Sequence, residues 1–229
     1  MKKILCLLFA VAIFSGTAVG QLGGDNFRLG LYVSPGVSSF STQNSDIGTS
    51  GGPSFGFGLT ADLAISDNYA IGSGLNFTYL KGEVDITGQS DLISRRGDYR
   101  YGYVEVPVTI KLSTNEVATA IGDFIYFGQI GGFIGLPLLR TRYDFYEEST
   151  LIQDNEKAAN QVSPINLGLT VAAGAEYAMT ENTYLYAALW FNRGFFSVLR
   201  NKAFEQFDFS DKDNKVNSSL IGLRVGAMF

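Results

Sequence analysis

Hydrophobic and polar residues alternate along several long segments of the chain. Over residues 27–37 the odd positions are apolar, and the even positions are mostly polar or small. The same period of two recurs over residues 53–65, 69–80, 99–112, 124–139, 165–177, 183–194 and 218–229. A period of two places successive side chains on opposite faces of a β-strand, so each segment is predicted to be a strand with one apolar face. The chain is therefore expected to form about eight long strands.

The connections between these strands alternate between short and long. Short connections are predicted near residues 66–68, 113–120 and 179–183, and long polar connections near residues 39–52, 85–98, 143–161 and 197–216. An even number of long strands, with tight turns at one end and loops at the other, is typical of barrels that span bacterial outer membranes. We therefore predict an all-β fold: an eight-stranded antiparallel transmembrane β-barrel of the outer-membrane type, with short periplasmic turns and long extracellular loops.

The alternative is a secreted soluble barrel of the lipocalin type, which closes its sheet similarly but turns the apolar face inward. The chain contains 27 glycines, and many of them fall on the second, non-apolar face of the strands. A glycine-rich face would be an unusual soluble exterior, whereas small residues suit a narrow and crowded lumen. The apolar face is therefore expected to contact lipid.

The first twenty residues have the pattern of a secretory signal peptide. Two lysines precede an apolar run over residues 4–14, and small residues follow it. The run is too short to favour a membrane-spanning helix. The small residues expected just before a lipid-modified cysteine do not precede Cys6. We therefore predict a cleaved signal peptide over residues 1–20 and one outer-membrane β-barrel domain over residues 21–229.

The absence of histidine excludes much of the chemistry that enzymes use. His is 0 and Cys is 1 among the 229 residues. Ser-His-Asp triads and the usual zinc sites require an imidazole. The formal net charge of -5 provides no basic face for nucleic acid. The chain is therefore not expected to be an enzyme, to hold a cofactor or metal, or to bind nucleic acid.

Six charged residues fall on the strand faces assigned to the lumen. They are Arg28, Asp62, Glu105, Lys111, Glu176 and Arg224. The interior of an eight-stranded barrel is only wide enough for side chains to fill, and an unpaired charge there would be costly. We therefore expect an ion-pair network in which Arg224 and Glu105 form the central link, directly or through one water. The network either fills the lumen structurally or provides a path for protons or a solute.

The last alternating segment ends in an aromatic residue, Phe229. A terminal aromatic after alternating apolar residues resembles the signal by which the outer-membrane assembly machinery recognises its clients. Phe229 is therefore expected to lie in the periplasmic aromatic girdle and to act as an assembly signal. The expected partners are outer-membrane lipid and, during insertion, the barrel-assembly machinery.

Two motifs resemble a known family of barrels. The first is YVEVPVTIKL, and its characteristic residues are Tyr103, Val104, Glu105, Val106, Pro107 and Lys111. The second is FNRGF at residues 191–195. With the order of the strands, these motifs resemble the PorT-like outer-membrane β-barrel family of Bacteroidetes. Ala188 and Trp190 stand where that family commonly has inward charged residues.

This resemblance implies an outer-membrane location and an eight-stranded barrel. The namesake of the family is associated with the type IX secretion system and gliding apparatus. Our first hypothesis is therefore a non-enzymatic structural or accessory component of the cell envelope, with an envelope protein as its partner. The alternative is a ligand-binding or small-solute transport barrel that uses its extracellular loops or its lumen.

Overall fold

Antiparallel strands make up nearly all of the described part of the chain. The computed structural model describes residues 26–42, 47–87, 94–120, 122–138, 142–147, 150–157, 161–180, 182–200, 203 and 215–229. The eight long strands are β1 (Phe27–Thr42), β2 (Ile47–Ser66), β3 (Tyr69–Thr87), β4 (Ser94–Ser113), β6 (Gly122–Pro137), β9 (Asn166–Thr180), β10 (Thr183–Gly194) and β11 (Val216–Met228). The short strands are β5 (Val117–Thr119), β7 (Arg142–Glu147) and β8 (Thr150–Lys157). The predicted signal peptide lies outside the described residues.

The eight long strands close into a barrel. Each pairs with the next long strand along the chain, and β4 pairs directly with β6. The two ends of the series meet because β1 pairs with β11, with Leu31 opposite Ala227 and Val37 opposite Ile221. Closure gives both terminal strands of the barrel a partner and removes their free edges. The predicted closed eight-stranded antiparallel barrel is therefore confirmed.

Apolar side chains face outward along the barrel strands and form a continuous apolar belt. On β4, Val108 is 61% exposed and Ile110 is 57% exposed, whereas Thr109 is 8% exposed and Lys111 only 2% exposed. The same alternation holds on the other long strands. The lipocalin-type alternative, with its apolar face inward, is therefore wrong.

Glycine on the inward face allows neighbouring strands to approach closely. A Cβ atom added at Gly131 on β6 would collide with the backbone oxygen of Val108 on β4, and one added at Gly226 on β11 would collide with that of Leu31 on β1. Any larger residue at these positions would push the paired strands apart. The narrow lumen thus depends on glycine at these contacts.

The strands extend well beyond the segments predicted from alternation. Strand pairing covers most of residues 39–52 and 85–98, which the sequence analysis assigned to long loops, so that assignment was wrong. Beyond the apolar belt the outward face of a strand meets water, so no apolar stripe marks it in the sequence. The inward positions stay buried there, as Phe40 at 4% and Val84 at 0% exposure illustrate.

A short hairpin, β7 and β8, extends the sheet beside the far half of β4. Residues 103–113 of β4 pair with β6, whereas residues 95–100 pair with β7. Strands therefore occupy much of the connection predicted over residues 143–161. No helix in the described ranges is long and apolar enough to cross a membrane.

Buried apolar side chains fill the end of the barrel from which the long connections leave, which we call the loop end. Residues Val162 and Leu199 form a backbone bridge there, and the N–H of Val198 donates to the oxygen of Val216 at 2.8 Å. We define the loop-end core as Phe40, Ile47, Leu80, Val84, Tyr99, Tyr101, Tyr103, Tyr143, Phe145, Val162, Ala172, Trp190, Val198, Leu199, Ala203, Val216 and Leu220. The opposite end, which carries the short turns, is the short-turn end.

Candidate functional site

Four charged side chains meet in the lumen near the short-turn end. They are Arg28 on β1, Asp62 on β2, Lys111 on β4 and Glu176 on β9. Lys111 Nζ donates to Asp62 Oδ2 at 2.6 Å and also to Glu176 Oε1. Arg28 Nη1 donates to Glu176 Oε2 at 2.9 Å. These residues, which we call the four-charge cluster, form a continuous series of ion pairs across the lumen.

Burial makes this pairing necessary. The side chains of Lys111 and Asp62 are each 2% exposed and that of Glu176 is 0% exposed, whereas that of Arg28 is 28% exposed. Two positive and two negative groups leave the cluster formally neutral, and an uncompensated charge at this depth would cost several kcal/mol. The ring of Phe127 lies 4.6 Å from Lys111 Nζ. The ammonium group is thus surrounded by carboxylates and an aromatic ring.

The space left inside the four-charge cluster is no larger than a water molecule. The cavity lined by Asp62, Lys111, Glu176 and Arg224 measures about 10 Å³. A cavity needs about 10–15 Å³ by this measure to hold one water. The described side chains therefore leave room in this cavity for about one water.

Glu105 lies on β4, the strand that carries Lys111, and is six residues nearer the loop end than Lys111. Its side chain is 3% exposed, and Oε2 accepts hydrogen bonds from Thr78 Oγ1 at 3.1 Å and from Asn192 Nδ2 at 3.4 Å. No role for Thr78 or Asn192 was predicted from the sequence. Both residues fall on the inward face of the alternating pattern, and Asn192 also lies in the FNRGF motif. These features could have indicated a contact with Glu105.

Arg224 contacts aromatic rings. Its guanidinium carbon lies 4.1 Å from the centre of the Tyr32 ring and 4.8 Å from that of Trp190. No ion pair between Arg224 and Glu105 occurs among the described residues, so the structure does not contain the predicted direct link; a link through one water stays a prediction. A planar guanidinium group stacks well on aromatic faces, and Tyr32 and Trp190 provide such faces in this lumen.

Four of the residues that define the loop-end core are tyrosines. Tyr99, Tyr101 and Tyr103 occupy successive inward positions on β4 and are at most 3% exposed. The ring of Tyr101 stacks on Phe40 at 5.7 Å and meets Tyr103 edge-on at 5.5 Å between centroids. Alternation along β4 puts Tyr103 on the same face as Glu105, but it does not show that these rings pack together inside the loop end of the barrel. The three tyrosines are spaced two residues apart, and this spacing was the sequence feature that could have predicted the cluster.

Ion pairs cover the outward face of the sheet beyond the apolar belt. Arg96 pairs with Glu83 at 2.9 Å and with Asp98 at 2.8 Å. Asp85 lies opposite Arg96 on the neighbouring strand. Burial raises the pKa of Asp85 above its ordinary value, Arg96 lowers that pKa, and the negative charges of Glu83 and Asp98 raise it further. This part of the surface is thus polar and suited to water.

Phe229 lies at the seam where β11 meets β1. Its N–H donates to the oxygen of Leu29 at 2.7 Å, and the N–H of Leu29 donates to the oxygen of Phe229 at 3.0 Å. The Phe229 side chain is 57% exposed, at the short-turn end of the apolar belt. This position is where outer-membrane barrels carry an aromatic girdle. Its role as an assembly signal stays a prediction.

The chemistry available to the interior groups is limited. No group of three or more His, Cys, Asp or Glu residues in the described ranges is placed to hold a metal ion. The acidic and basic groups of the four-charge cluster are bonded to one another. The arrangement therefore fills space and balances charge.

Comparisons with solved structures return outer-membrane proteins. The outer membrane protein OprG from Pseudomonas aeruginosa is 14% identical, with a TM-score of 0.47 over 89% of this chain and 95% of that chain. Neisserial surface protein A is 13% identical, with a TM-score of 0.45 over 86% and 95% of the two chains. Ail, the attachment invasion locus protein of Yersinia pestis, is 12% identical, with a TM-score of 0.38 over 89% and 99%.

A comparison with family models identifies the chain more directly. None of the curated proteins matches it significantly. Residues 20–200, however, match the model described as "Outer membrane protein beta-barrel domain". This match covers most of the chain, including seven of the eight strands that close the barrel. The chain therefore belongs to the outer membrane protein beta-barrel domain family and is a protein of the outer membrane.

Proposed function

We propose that the protein is a non-enzymatic, non-conducting structural barrel that serves as an accessory component of a larger outer-membrane assembly. The observation that carries this proposal is the filled lumen. The four-charge cluster lies near the short-turn end. Arg224, with the rings of Tyr32 and Trp190, lies closer to the loop end, and the loop-end core follows it. A barrel whose described side chains fill the lumen at these levels is suited to act through its outer surfaces.

The PorT-like motifs suggest which assembly this is. We propose a type IX secretion or gliding apparatus, because the namesake of the resembling family is associated with both. The residues 103–107 and 111 of the first motif include Glu105 and Lys111, which hold the interior together. In this proposal, the motif maintains the barrel, and the partner binds elsewhere.

The extracellular sheet provides a surface for such a partner. Among the described strands, β8 pairs only with β7, so its other edge is free. Leu151 and Ile152 on β8 are 46% and 54% exposed. A free strand edge with exposed apolar side chains is a common site for the addition of a partner strand. We therefore propose that an envelope protein binds along β8.

Co-purification tests this proposal. The full chain, tagged and expressed at native level, is cross-linked in cells and purified from gently solubilised outer membranes. We expect a stoichiometric envelope protein with the wild type, and its loss in the Leu151→Lys/Ile152→Lys variant. Val117→Lys, at an exposed apolar position of the short-turn end, is the matched control and should retain the partner. Purification without any stoichiometric protein would contradict the accessory role.

Conductance tests the filled lumen separately. The pure wild-type barrel, inserted in a planar bilayer, should show no steady ion current, since the described side chains fill its lumen at the level of the four-charge cluster and in the loop-end core. A steady current from the wild type would refute the non-conducting barrel and favour small-solute transport.

A further inference from the structure

A groove on the outer surface lies where the apolar belt meets the charged face beyond it. It has a volume of about 420 Å³ and opens over β2, β3 and β4. The pairing of β2 with β3 is interrupted between Gly51 and Phe55, which separates the strands at this level. Gly102 contributes only backbone to the floor, and a Cβ atom there would lie 2.9 Å from Leu138 and 3.1 Å from Tyr79. Leu138 and Tyr79 therefore pack directly over the backbone of Gly102, and any side chain at this position would displace these two walls of the groove.

The half of the groove nearer the membrane is apolar. Phe55 and Tyr79 lie opposite each other on β2 and β3 and are 48% and 45% exposed. Leu138 forms the wall on the other side. Along the same strands the exposed surface continues through Phe57 and Ile71 into the apolar belt. This half is suited to an acyl chain that enters from the bilayer.

The other half of the groove carries two cations. Lys81 and Arg100 lie directly opposite each other on β3 and β4, and their side chains are 38% and 49% exposed. The ion pair of Lys81 with Glu83 is long, at 3.7 Å. Arg100 uses Nη2 alone for its two 2.8 Å contacts with Asp144. The described residues that line the groove include no carboxylate, so an anion here would face positive charge from both strands.

We propose that this groove binds a phosphorylated, acylated glycolipid of the outer leaflet. The phosphate lies between Lys81 and Arg100, and an acyl chain lies against Phe55 and Tyr79. The groove is on the loop-end side of the belt, which faces the outer leaflet in barrels of this class. Beyond the cations, the surface continues with the carboxylate of Glu83 and the guanidinium group of Arg96, which can hydrogen-bond to a sugar headgroup.

The inference rests on the outer-membrane location alone and is independent of the accessory role. Loss of lipid binding would leave co-purification of a partner unaffected, and absence of a partner would leave lipid binding unaffected. The two proposals therefore fail separately.

Native mass spectrometry of the full-length barrel from mixed micelles tests the groove. The probes are bisphosphorylated hexa-acyl lipid A, phosphatidylglycerol and inorganic phosphate, each at equal concentration. We expect the wild type to retain one lipid A molecule. In Lys81→Gln/Arg100→Gln the occupancy should fall at least about tenfold, since a charge-assisted contact contributes roughly that factor in affinity. Gly102→Leu, whose side chain displaces Leu138 and Tyr79 but keeps both cations, should also lose the lipid.

Arg142→Gln is the matched control, because Arg142 is an exposed cation on β7 that does not line the groove. It should retain lipid A at the wild-type level. Heat-modifiable gel migration establishes that each variant forms a closed barrel before it is compared. Equal lipid A retention by the wild type and the double variant, or equal loss in Arg142→Gln, overturns the site. Equal retention of phosphatidylglycerol overturns the glycolipid as occupant. Displacement of lipid A by inorganic phosphate would show that Lys81 and Arg100 bind a free anion, and it also overturns the glycolipid.

Discussion

Removal of Lys111 should destabilise the barrel strongly. In Lys111→Met the carboxylate of Asp62 loses its hydrogen-bond donor, and Glu176 keeps only Arg28. Both carboxylates are at most 2% exposed, so water does not replace the lost ammonium group. Breaking a buried ion pair in this way costs about 3–5 kcal/mol of unfolding free energy. Because Arg28 still compensates Glu176, Asp62 is expected to account for most of that cost.

A second substitution tests this division. Asp62→Asn in the Lys111→Met background removes the uncompensated charge and leaves the Arg28–Glu176 pair intact, so it should restore more than half of the lost stability. Lys81→Met is the matched control, since Lys81 is 38% exposed and 3.7 Å from Glu83. An exposed pair of this kind contributes at most about 1 kcal/mol.

Urea unfolding in detergent or lipid provides the measurement. The chain has a single tryptophan, Trp190, which is 3% exposed inside the barrel and reports its opening by fluorescence. Loss of heat-modifiable migration gives an independent second signal. The reasoning is refuted if Lys111→Met and Lys81→Met lower the unfolding free energy equally, or if the effects of Lys111→Met and Asp62→Asn are simply additive.

Three further predictions concern other parts of the molecule. Val108→Arg should lower the unfolding free energy by about 2–4 kcal/mol if it lies near the bilayer midplane. Thr109→Arg should instead prevent folding by overfilling the lumen. Lipid-quencher labels at these positions should report opposite exposure, and equal quenching would contradict the assigned faces. Phe229→Ala should reduce membrane insertion more than export, as measured by fractionation; equal membrane yield of both chains would count against the assembly signal. Because the pKa of Asp85 is raised, its stabilising contribution is present below its ordinary pKa of 3.8 and is lost as pH rises through the higher folded value. Asp85→Asn should therefore slow hydrogen exchange in the β3–β4 hairpin at pH 7 but not at pH 3, and equal exchange rates at pH 7 would contradict this.

Alternation predicted the barrel because two different environments lie on the two sides of its wall. Lipid outside and a crowded polar lumen inside give each strand a period of two, so the residue order by itself assigns Val108 and Lys111 to opposite faces. The glycine-rich inward face further distinguished this barrel from a soluble one. The number of strands and the direction of each side chain followed from this contrast.

The same contrast disappears beyond the apolar belt, and there the prediction failed. The far parts of β1 to β4 and the β7–β8 hairpin have water on their outward face, so their sequence reads as loop. The partners of Arg224 failed for a different reason. Which inward residues meet across a barrel depends on the stagger of its strands, and alternation along one strand does not specify that stagger. Tyr32 and Trp190 were therefore assigned inward without being recognised as the rings that Arg224 contacts.

The pairing of β1 with β11 also governs the order of events during assembly. Leu31 lies opposite Ala227 across this seam. Strand β1 therefore gains its second neighbouring strand only when β11 pairs with it. Contacts between such distant parts of a chain form slowly, because the loop between them must close first. Until then the growing sheet has two unpaired edges, each able to pair with a different chain. The last strand therefore determines when the molecule becomes sealed, and a chain released before that moment is a template for aggregation.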